Sequence, residues 1–186
     1  KVLRGFFKTG PGEYGEGDIF LGVTVPFTRE VVKRFEDLPL RGLVKLLRSR
    51  IHEERLLALL ILVEQFNQSG INAKKKIYKT YLANTKFINN WDLVDLSAPQ
   101  IAGGFLIDKN RRALYKLAQS PLLWERRIAI LATFTFIKAN DFDDLFRLIK
   151  LLLLDKEDLI HKACGWMLRE AGKRNLAAEE NFLRQH

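Results

Sequence analysis

Apolar residues recur every three to four positions along most of the chain, which is the spacing of amphipathic helices. This pattern predicts helices over residues 29–37, 40–50, 52–68, 71–84, 91–104, 110–119, 121–139, 142–154, 156–173 and 176–185. Alternation typical of strands is not found after Pro26. The pattern therefore indicates an all-α fold class.

The beginning of the chain follows a different pattern. Residues 1–27 are rich in glycine, and we expect a Gly-rich loop over 10–18 followed by an extended lead-in, with Thr28 as the N-cap of the first helix. Residues 10–15 match the G-x-G-x-x-G nucleotide motif literally. The motif requires a strand before it and a helix after it, and the loop's acidic residues would repel phosphate. We therefore reject nucleotide binding here.

Local signals mark several helix ends. Gly70 stands where a C-cap glycine is expected after helix 52–68. Ser120 and Pro121 are typical of an N-cap and a first helical residue. Asp155 and Asp158 indicate another helix start, since acidic side chains stabilise the positive end of the helix dipole.

A repeat of 36 residues relates four of these segments. His52, Ile88, Trp124 and Ile160 are evenly spaced, and each lies at or near the start of an apolar helix. Two helices in a unit of about 40 residues are typical of HEAT-like repeats. We therefore expect one domain over 1–186, a HEAT-like α-solenoid whose stacked units leave a concave wall.

The charge points to a polyanionic partner. There are 31 Lys and Arg against 22 Asp and Glu, a net charge of +9, and the sequence pI is about 9.7. One cysteine and three histidines predict neither an internal disulfide nor a metal site, and no motif predicts a cofactor. The apolar runs are too short to span a bilayer, so we expect no association with membranes.

The repeat places an unusual set of side chains on one surface. At 100° per residue, Trp91, Asp95, Arg127 and Trp166 fall within one arc of about 100°. In a purely structural interpretation, the tryptophans are core residues, and Asp95 and Arg127 form an ion pair. In a functional interpretation, these four side chains line an opening, because burying polar groups in an apolar core is costly. A basic stripe of Lys162, Arg169 and Lys173 lies beside Trp166 and indicates phosphate binding.

Four stretches carry a resemblance to a known family. They are FFKTGPGEYGEGD at 6–18, NNWDLVD at 89–95, LWERRIA at 123–129 and HKACGWMLRE at 161–170. With these residues the sequence resembles the DNA alkylation repair (AlkD-type) glycosylase family. The family has further segments at both termini, so we expect this chain to be truncated at both ends.

The resemblance implies a HEAT-like fold with a basic concave groove that binds duplex DNA. It also implies hydrolysis of the N-glycosidic bond of cationic N3- or N7-alkylated purines without base flipping. By motif position, Trp91, Asp95 and Trp166 would form the catalytic cleft, and Arg127 would bind the backbone phosphate beside the lesion.

The residue types fit that chemistry. An alkylated purine already carries positive charge and leaves as a neutral base, so the deoxyribose becomes an oxocarbenium that Asp95 would stabilise. No motif positions a lysine, which predicts a monofunctional glycosylase without lyase activity. We expect a cytoplasmic, bacterial-type monomer, associated with the nucleoid through double-stranded DNA, and no obligate protein partner. A non-catalytic DNA-binding HEAT module and a protein scaffold are the alternatives.

Overall fold

A computed structural model describes residues 7–186 and shows an all-α protein. The predicted fold class is thereby confirmed. In chain order the helices are α1 (Val25–Arg34), α2 (Leu40–Leu47), α3 (His52–Gln68), α4 (Ile71–Leu82), α5 (Trp91–Asp95), α6 (Gly104–Leu106), α7 (Arg112–Ala118), α8 (Leu123–Lys138), α9 (Asp143–Leu152), α10 (Asp158–Gly172) and α11 (Leu176–Gln185). In this part of the chain, extended pairing is limited to an isolated parallel bridge between Ile19 and Ile51. Residues 1–6, with Phe6 of the first motif, lie outside the described residues.

The first helix begins earlier than predicted. Helix α1 starts at Val25, because Pro26 is accepted in a first helical turn, and Thr24 is its N-cap. Thr28, predicted as the N-cap, is buried inside α1, where its hydroxyl lies 3.1 Å from the Thr24 carbonyl oxygen and donates to it. The predicted loop and lead-in over 1–27 therefore overlaps the first turn of a helix, and that boundary was wrong.

Two other helix-end predictions also fail, and one holds. Helix α3 ends at an extended Ser69, and Gly70 is the N-cap of α4 instead of the C-cap of α3. Ser120 and Pro121 precede α8, which starts at Leu123; the Ser120 hydroxyl oxygen accepts the N–H of Leu122 in a turn. Asp158 does lie in the first turn of α10, as predicted.

The predicted helix 91–104 is interrupted. It consists of α5, a π-helical turn over Pro99–Gly103 and the short α6. Pro99 has no backbone N–H to continue the α-helical ladder. The carbonyl oxygen of Pro99 accepts the backbone N–H of Gly104 in this turn, and it also accepts a hydrogen bond from the hydroxyl of Thr135, on α8, at 2.5 Å.

The helices form two compact units that divide between Ser97 and Ala98. In the first unit, α3 packs against α1, α2, α4 and α5. Residues 58–62 of α3 are almost completely buried, as the apolar residues all around this helix predict. Full burial of one leucine stabilises the fold by about 1.5–3 kcal/mol, so α3 is the core of this unit.

Helix α8 has the same place in the second unit. It packs against α7, α9, α10 and the π-helical turn, and residues 128–132 are completely buried. Helix α11 closes the unit by packing on α10. No helix among residues 7–186 is long and apolar enough to cross a membrane.

Candidate functional site

The short helix α5 carries two of the predicted catalytic side chains. Trp91 and Asp95 are its first and last residues, so they share a face, and both are partly exposed. The Asn90 side chain caps the helix by accepting the Trp91 N–H at 2.8 Å. Asp95 also acts on Tyr81: burial, with the Asp95 charge as a smaller cause, raises the pKa of the Tyr81 hydroxyl.

A buried ionic cluster lies next to α5. It consists of Asp18, His52, Arg55 and Asp92, from the Gly-rich loop, α3 and α5. Nε2 of His52 lies 2.7 Å from Oδ2 of Asp92, and Nδ1 lies 3.6 Å from Oδ2 of Asp18. Arg55 donates to the same Asp18 oxygen at 2.7 Å. With a protonated imidazole the cluster has two positive and two negative charges, which makes burial of all four tolerable.

The pKa of His52 is raised by this environment. Burial of the imidazole lowers the pKa, and Arg55 acts in the same direction, but the two carboxylates of Asp18 and Asp92 raise it and prevail. The pKa of Asp18 is lowered: burial raises it, while His52, Arg55 and Asn89 lower it and prevail. The cluster therefore favours an imidazolium held between two carboxylates.

The Gly-rich loop is tied to α5 through Asp18. Its second oxygen, Oδ1, accepts a hydrogen bond from the Asn89 side chain at 3.2 Å, two residues before α5 begins. Asp92 accepts the N–H of Leu93 at 2.8 Å with its other oxygen. The same buried charges thus hold the loop, the start of α3 and the start of α5.

Glu53 fixes the segment that follows the loop. Its buried carboxylate accepts the backbone N–H groups of Leu21, Gly22 and Val23 at 2.9, 2.7 and 3.3 Å. Gly22 has φ = +89°, a conformation that other residues rarely adopt. A turn of three donors thus encloses one carboxylate, which explains how a glutamate is accommodated in the core.

Aromatic side chains of the N-terminal segment surround Trp91. The indole Nε1–H donates to the Tyr14 hydroxyl at 3.2 Å, and the Phe7 ring centroid lies 5.5 Å from the indole. Phe7 also stacks on Phe20, which stacks in turn on the His52 ring at 4.6 Å. Trp91 therefore contacts the Gly-rich loop directly.

The loop's own carboxylates use the N–H groups that a phosphate would need. Glu13 accepts the N–H of Gly10 at 2.7 Å, and Glu16 accepts that of Gly12 at 2.8 Å. This arrangement supports the rejection of nucleotide binding at this motif.

Arg127 lies in the second unit, on α8. Only 6% of its surface is exposed, and its guanidinium donates to the Leu159 carbonyl at 2.5 Å. The neighbouring Arg126 pairs with both oxygens of Asp155 and donates to the carbonyl of Ser120, six residues earlier. Arg55 also binds an aspartate and a carbonyl six residues earlier. Arg126, rather than Arg127, thus makes the same kinds of contact as Arg55, 71 positions earlier in the chain.

The remaining predicted residues lie on α10 or, in the case of Lys173, at its C-cap. Trp166 is partly exposed, 6.1 Å from the Phe134 ring centroid, and Lys162, Arg169 and Lys173 are exposed. Lys162 pairs with Asp158 at 2.6 Å, and Lys173 pairs with Glu170 at 2.7 Å. The Lys173 hydrogen bond, aided by Trp166 and Arg169, lowers the pKa of Glu170.

Trp91 and Asp95, two of the four residues expected on one surface, are thus neighbours on α5 in the first unit. The other two, Arg127 and Trp166, lie on α8 and α10 in the second unit. Sequence reasoning missed Asp18, His52, Asp92 and Tyr14. The signal that could have found the cluster is the charged start of α3, residues 52–55, in front of an apolar helix. Such charges need buried partners of opposite sign.

Cys164 is a free cysteine buried on α10. Burial raises the pKa of its thiol to about 12. The thiolate that reacts as a nucleophile is therefore not formed near neutral pH.

Comparisons with known proteins agree with this architecture. The model of the family described as "DNA alkylation repair enzyme" matches residues 1–186. A solved structure, "Predicted DNA alkylation repair enzyme from Enterococcus faecalis", matches with a TM-score of 0.69 and 17% identity, over 97% of this chain and 91% of the other. At that identity the similarity shows a shared fold. A search of curated proteins gave no match.

Proposed function

Because the chain belongs to the DNA alkylation repair enzyme family, we propose that it is a DNA glycosylase that removes cationic N3- or N7-alkylated purines from duplex DNA. Hydrolysis breaks the N-glycosidic bond, and the base leaves without being flipped out of the duplex. The proposal includes a monofunctional reaction, without cleavage of the DNA backbone by a lysine.

One observation carries this proposal. Trp91 and Asp95 occupy one partly exposed face of a single helical turn. A carboxylate beside an aromatic face suits a positively charged sugar, because both attract a cation. The buried ionic cluster next to α5 supports this, since reactive groups need to be held rigidly.

Each residue then has a distinct task. The alkylated purine is already cationic, so it departs as a neutral base without a strong general acid. Asp95 stabilises the developing oxocarbenium and orients the attacking water. The Trp91 and Trp166 indoles pack on the sugar and offer π faces to the cation.

Binding of DNA requires positively charged side chains that contact its phosphates. We propose that Arg169, Lys162 and Lys173 on α10 contact the backbone, and that Arg127 binds the phosphate beside the lesion. Arg127 is nearly buried and already serves the Leu159 carbonyl. A phosphate would therefore have to compete with that carbonyl for the Arg127 guanidinium.

Release of 7-methylguanine from methylated duplex DNA tests the proposal. We expect release by the wild type, at least a tenfold lower rate for Asp95→Asn, and unchanged duplex binding, because the amide removes the charge and keeps the shape. Asp37→Asn is the matched control, since this exposed aspartate lies in the same unit between α1 and α2. Duplex binding without release by the wild type would refute the enzymatic proposal and favour a non-catalytic DNA-binding module.

A further inference from the structure

The indole of Trp91 has one hydrogen-bond donor, and the Gly-rich loop supplies its acceptor. The Nε1–H points to the Tyr14 hydroxyl oxygen at 3.2 Å, across 77 positions of sequence. A tryptophan side chain has two rotatable bonds, so a fixed N–H direction also fixes the plane of the ring. Phe7 packs on the indole from the same segment.

Tyr14 itself lies at a tightly closed point of the loop. The next residue, Gly15, is buried and donates its N–H to the Lys8 carbonyl at 2.8 Å. A Cβ at Gly15 would lie 2.7 Å from that oxygen, so only glycine permits this approach. The backbone next to Tyr14 is therefore fixed by a contact that requires glycine at position 15.

The other end of the loop is fixed by the buried ionic cluster. Asp18, four residues after Tyr14, contacts Arg55, His52 and the Asn89 side chain. Asn89 stands two residues before Trp91, and Asp92 follows Trp91. The segments that carry Tyr14 and Trp91 are thus both attached to the same buried ionic cluster.

We propose that Tyr14 is a positioning residue for the Trp91 indole, and that the Gly-rich loop is part of the site. This inference rests on the proposed function. Tyr14 acts through the tryptophan: it sets the indole plane that packs against the sugar when the positive charge develops. Loss of its hydroxyl should therefore affect the reaction step more than binding.

Tyr14→Phe tests this inference, because it removes the hydroxyl and keeps the ring. The chain has three tryptophans, so its ¹H–¹⁵N spectrum has three indole signals, and Trp91→Phe assigns one of them. We expect Tyr14→Phe to move the Trp91 indole signal upfield and to leave the other two in place. We also expect kcat for 7-methylguanine release to fall about three- to tenfold, the factor for one hydrogen bond, with KM unchanged.

Tyr115→Phe is the matched control. Its hydroxyl bonds to Asp144 in the second unit, so the variant should leave the Trp91 signal and kcat unchanged. A Tyr14→Phe protein with an unmoved Trp91 signal, or with wild-type kcat, would overturn the inference. A wild type that releases no 7-methylguanine refutes the proposed function, and the Trp91 signal alone then decides whether Tyr14 positions the indole.

Discussion

The imidazole of His52 lies 2.7 Å from the Asp92 carboxylate, so the first residue of α3 is bonded to the second residue of α5. Both side chains are buried, and Asp18 approaches the other side of the ring. Removal of one partner from such a pair typically costs about 3–5 kcal/mol, because a charge is left buried without compensation.

The stability of the protein should depend on the charge of His52. A raised folded pKa gives a contribution that is fully present below about pH 6.5, the unfolded value, and is lost as the pH rises through the folded pKa. We expect the free energy of unfolding, measured in urea, to fall as the pH is raised above 6.5. Asp18, with its lowered pKa, acts at the acidic end: its contribution is lost as the pH falls through its folded pKa.

Two variants test whether the loss of stability above pH 6.5 comes from His52. In His52→Gln the decrease above pH 6.5 should disappear, together with part of the total stability. His161→Gln should retain it, since that histidine is exposed on α10. A wild type with constant stability between pH 6 and 9 would contradict the charged state assigned to His52.

Glu53 should stabilise the fold far more than its neighbour Glu54. Glu53→Gln leaves a neutral amide against three N–H donors, and hydrogen bonds to a charged group are worth about 1.5–3 kcal/mol. We expect a loss of about that size in urea unfolding, with faster amide exchange at residues 21–23. Glu54→Gln, one position along the same helix, should change stability by less than about 0.5 kcal/mol. Equal effects of the two variants would be incompatible with the observed contacts.

Two glycine-to-alanine changes in the second unit should have opposite effects. A Cβ at Gly103 would lie 2.3 Å from the Ala132 carbonyl oxygen, a backbone atom that cannot move aside easily. A Cβ at Gly165, within α10, meets nothing within 4 Å. We expect Gly103→Ala to lower the melting temperature strongly and Gly165→Ala to stabilise by about 0.5–1 kcal/mol. A melting temperature for Gly103→Ala equal to that of the wild type would disprove the close approach.

The cations on α10 should set the salt dependence of duplex binding, and unequally. Lys162 and Lys173 already pair with Asp158 and Glu170, so a phosphate has to compete with those carboxylates. We expect Arg169→Gln to reduce the slope of log K against log salt by about 0.9, as for one phosphate, and each lysine variant to reduce it less. Lys33→Gln, an exposed cation on α1, is the control. An unchanged slope in all three α10 variants would place the DNA elsewhere.

Local periodicity was sufficient for most helices. The predicted bounds of α3, residues 52–68, agree with the structure, whereas those of the equally apolar α8 differ by one or two residues at each end. The break at Pro99–Gly103 had a signal in the sequence, because proline lacks the N–H of a helix interior. The form of the turn also depends on the side chain of Thr135 and the carbonyl of Ala132, which belong to a different helix. The similarity of Arg55 and Arg126 was missed for the same reason, because it lies in their hydrogen bonds, which sequence spacing does not reveal.

Only part of the candidate site could likewise be predicted from the sequence. The pair Trp91 and Asp95 could be predicted to share a face, because residues four apart are neighbours on any helix. The contact of Asp18 with Asn89 joins positions 71 apart through an irregular loop, and no periodic pattern records such a partner. The loop's glycines signalled an unusual backbone, but the tyrosine between them gave no sign that it faces a tryptophan.

The wide separation of these partners also has a consequence during synthesis. Asp92 is synthesised 74 residues after Asp18, which takes about 4–15 seconds at ordinary elongation rates. During that interval Asp18 and the start of α3 are without their α5 partner. The buried ionic cluster can therefore be completed only after residues 52–68 of α3 have been made and can form their local helical contacts.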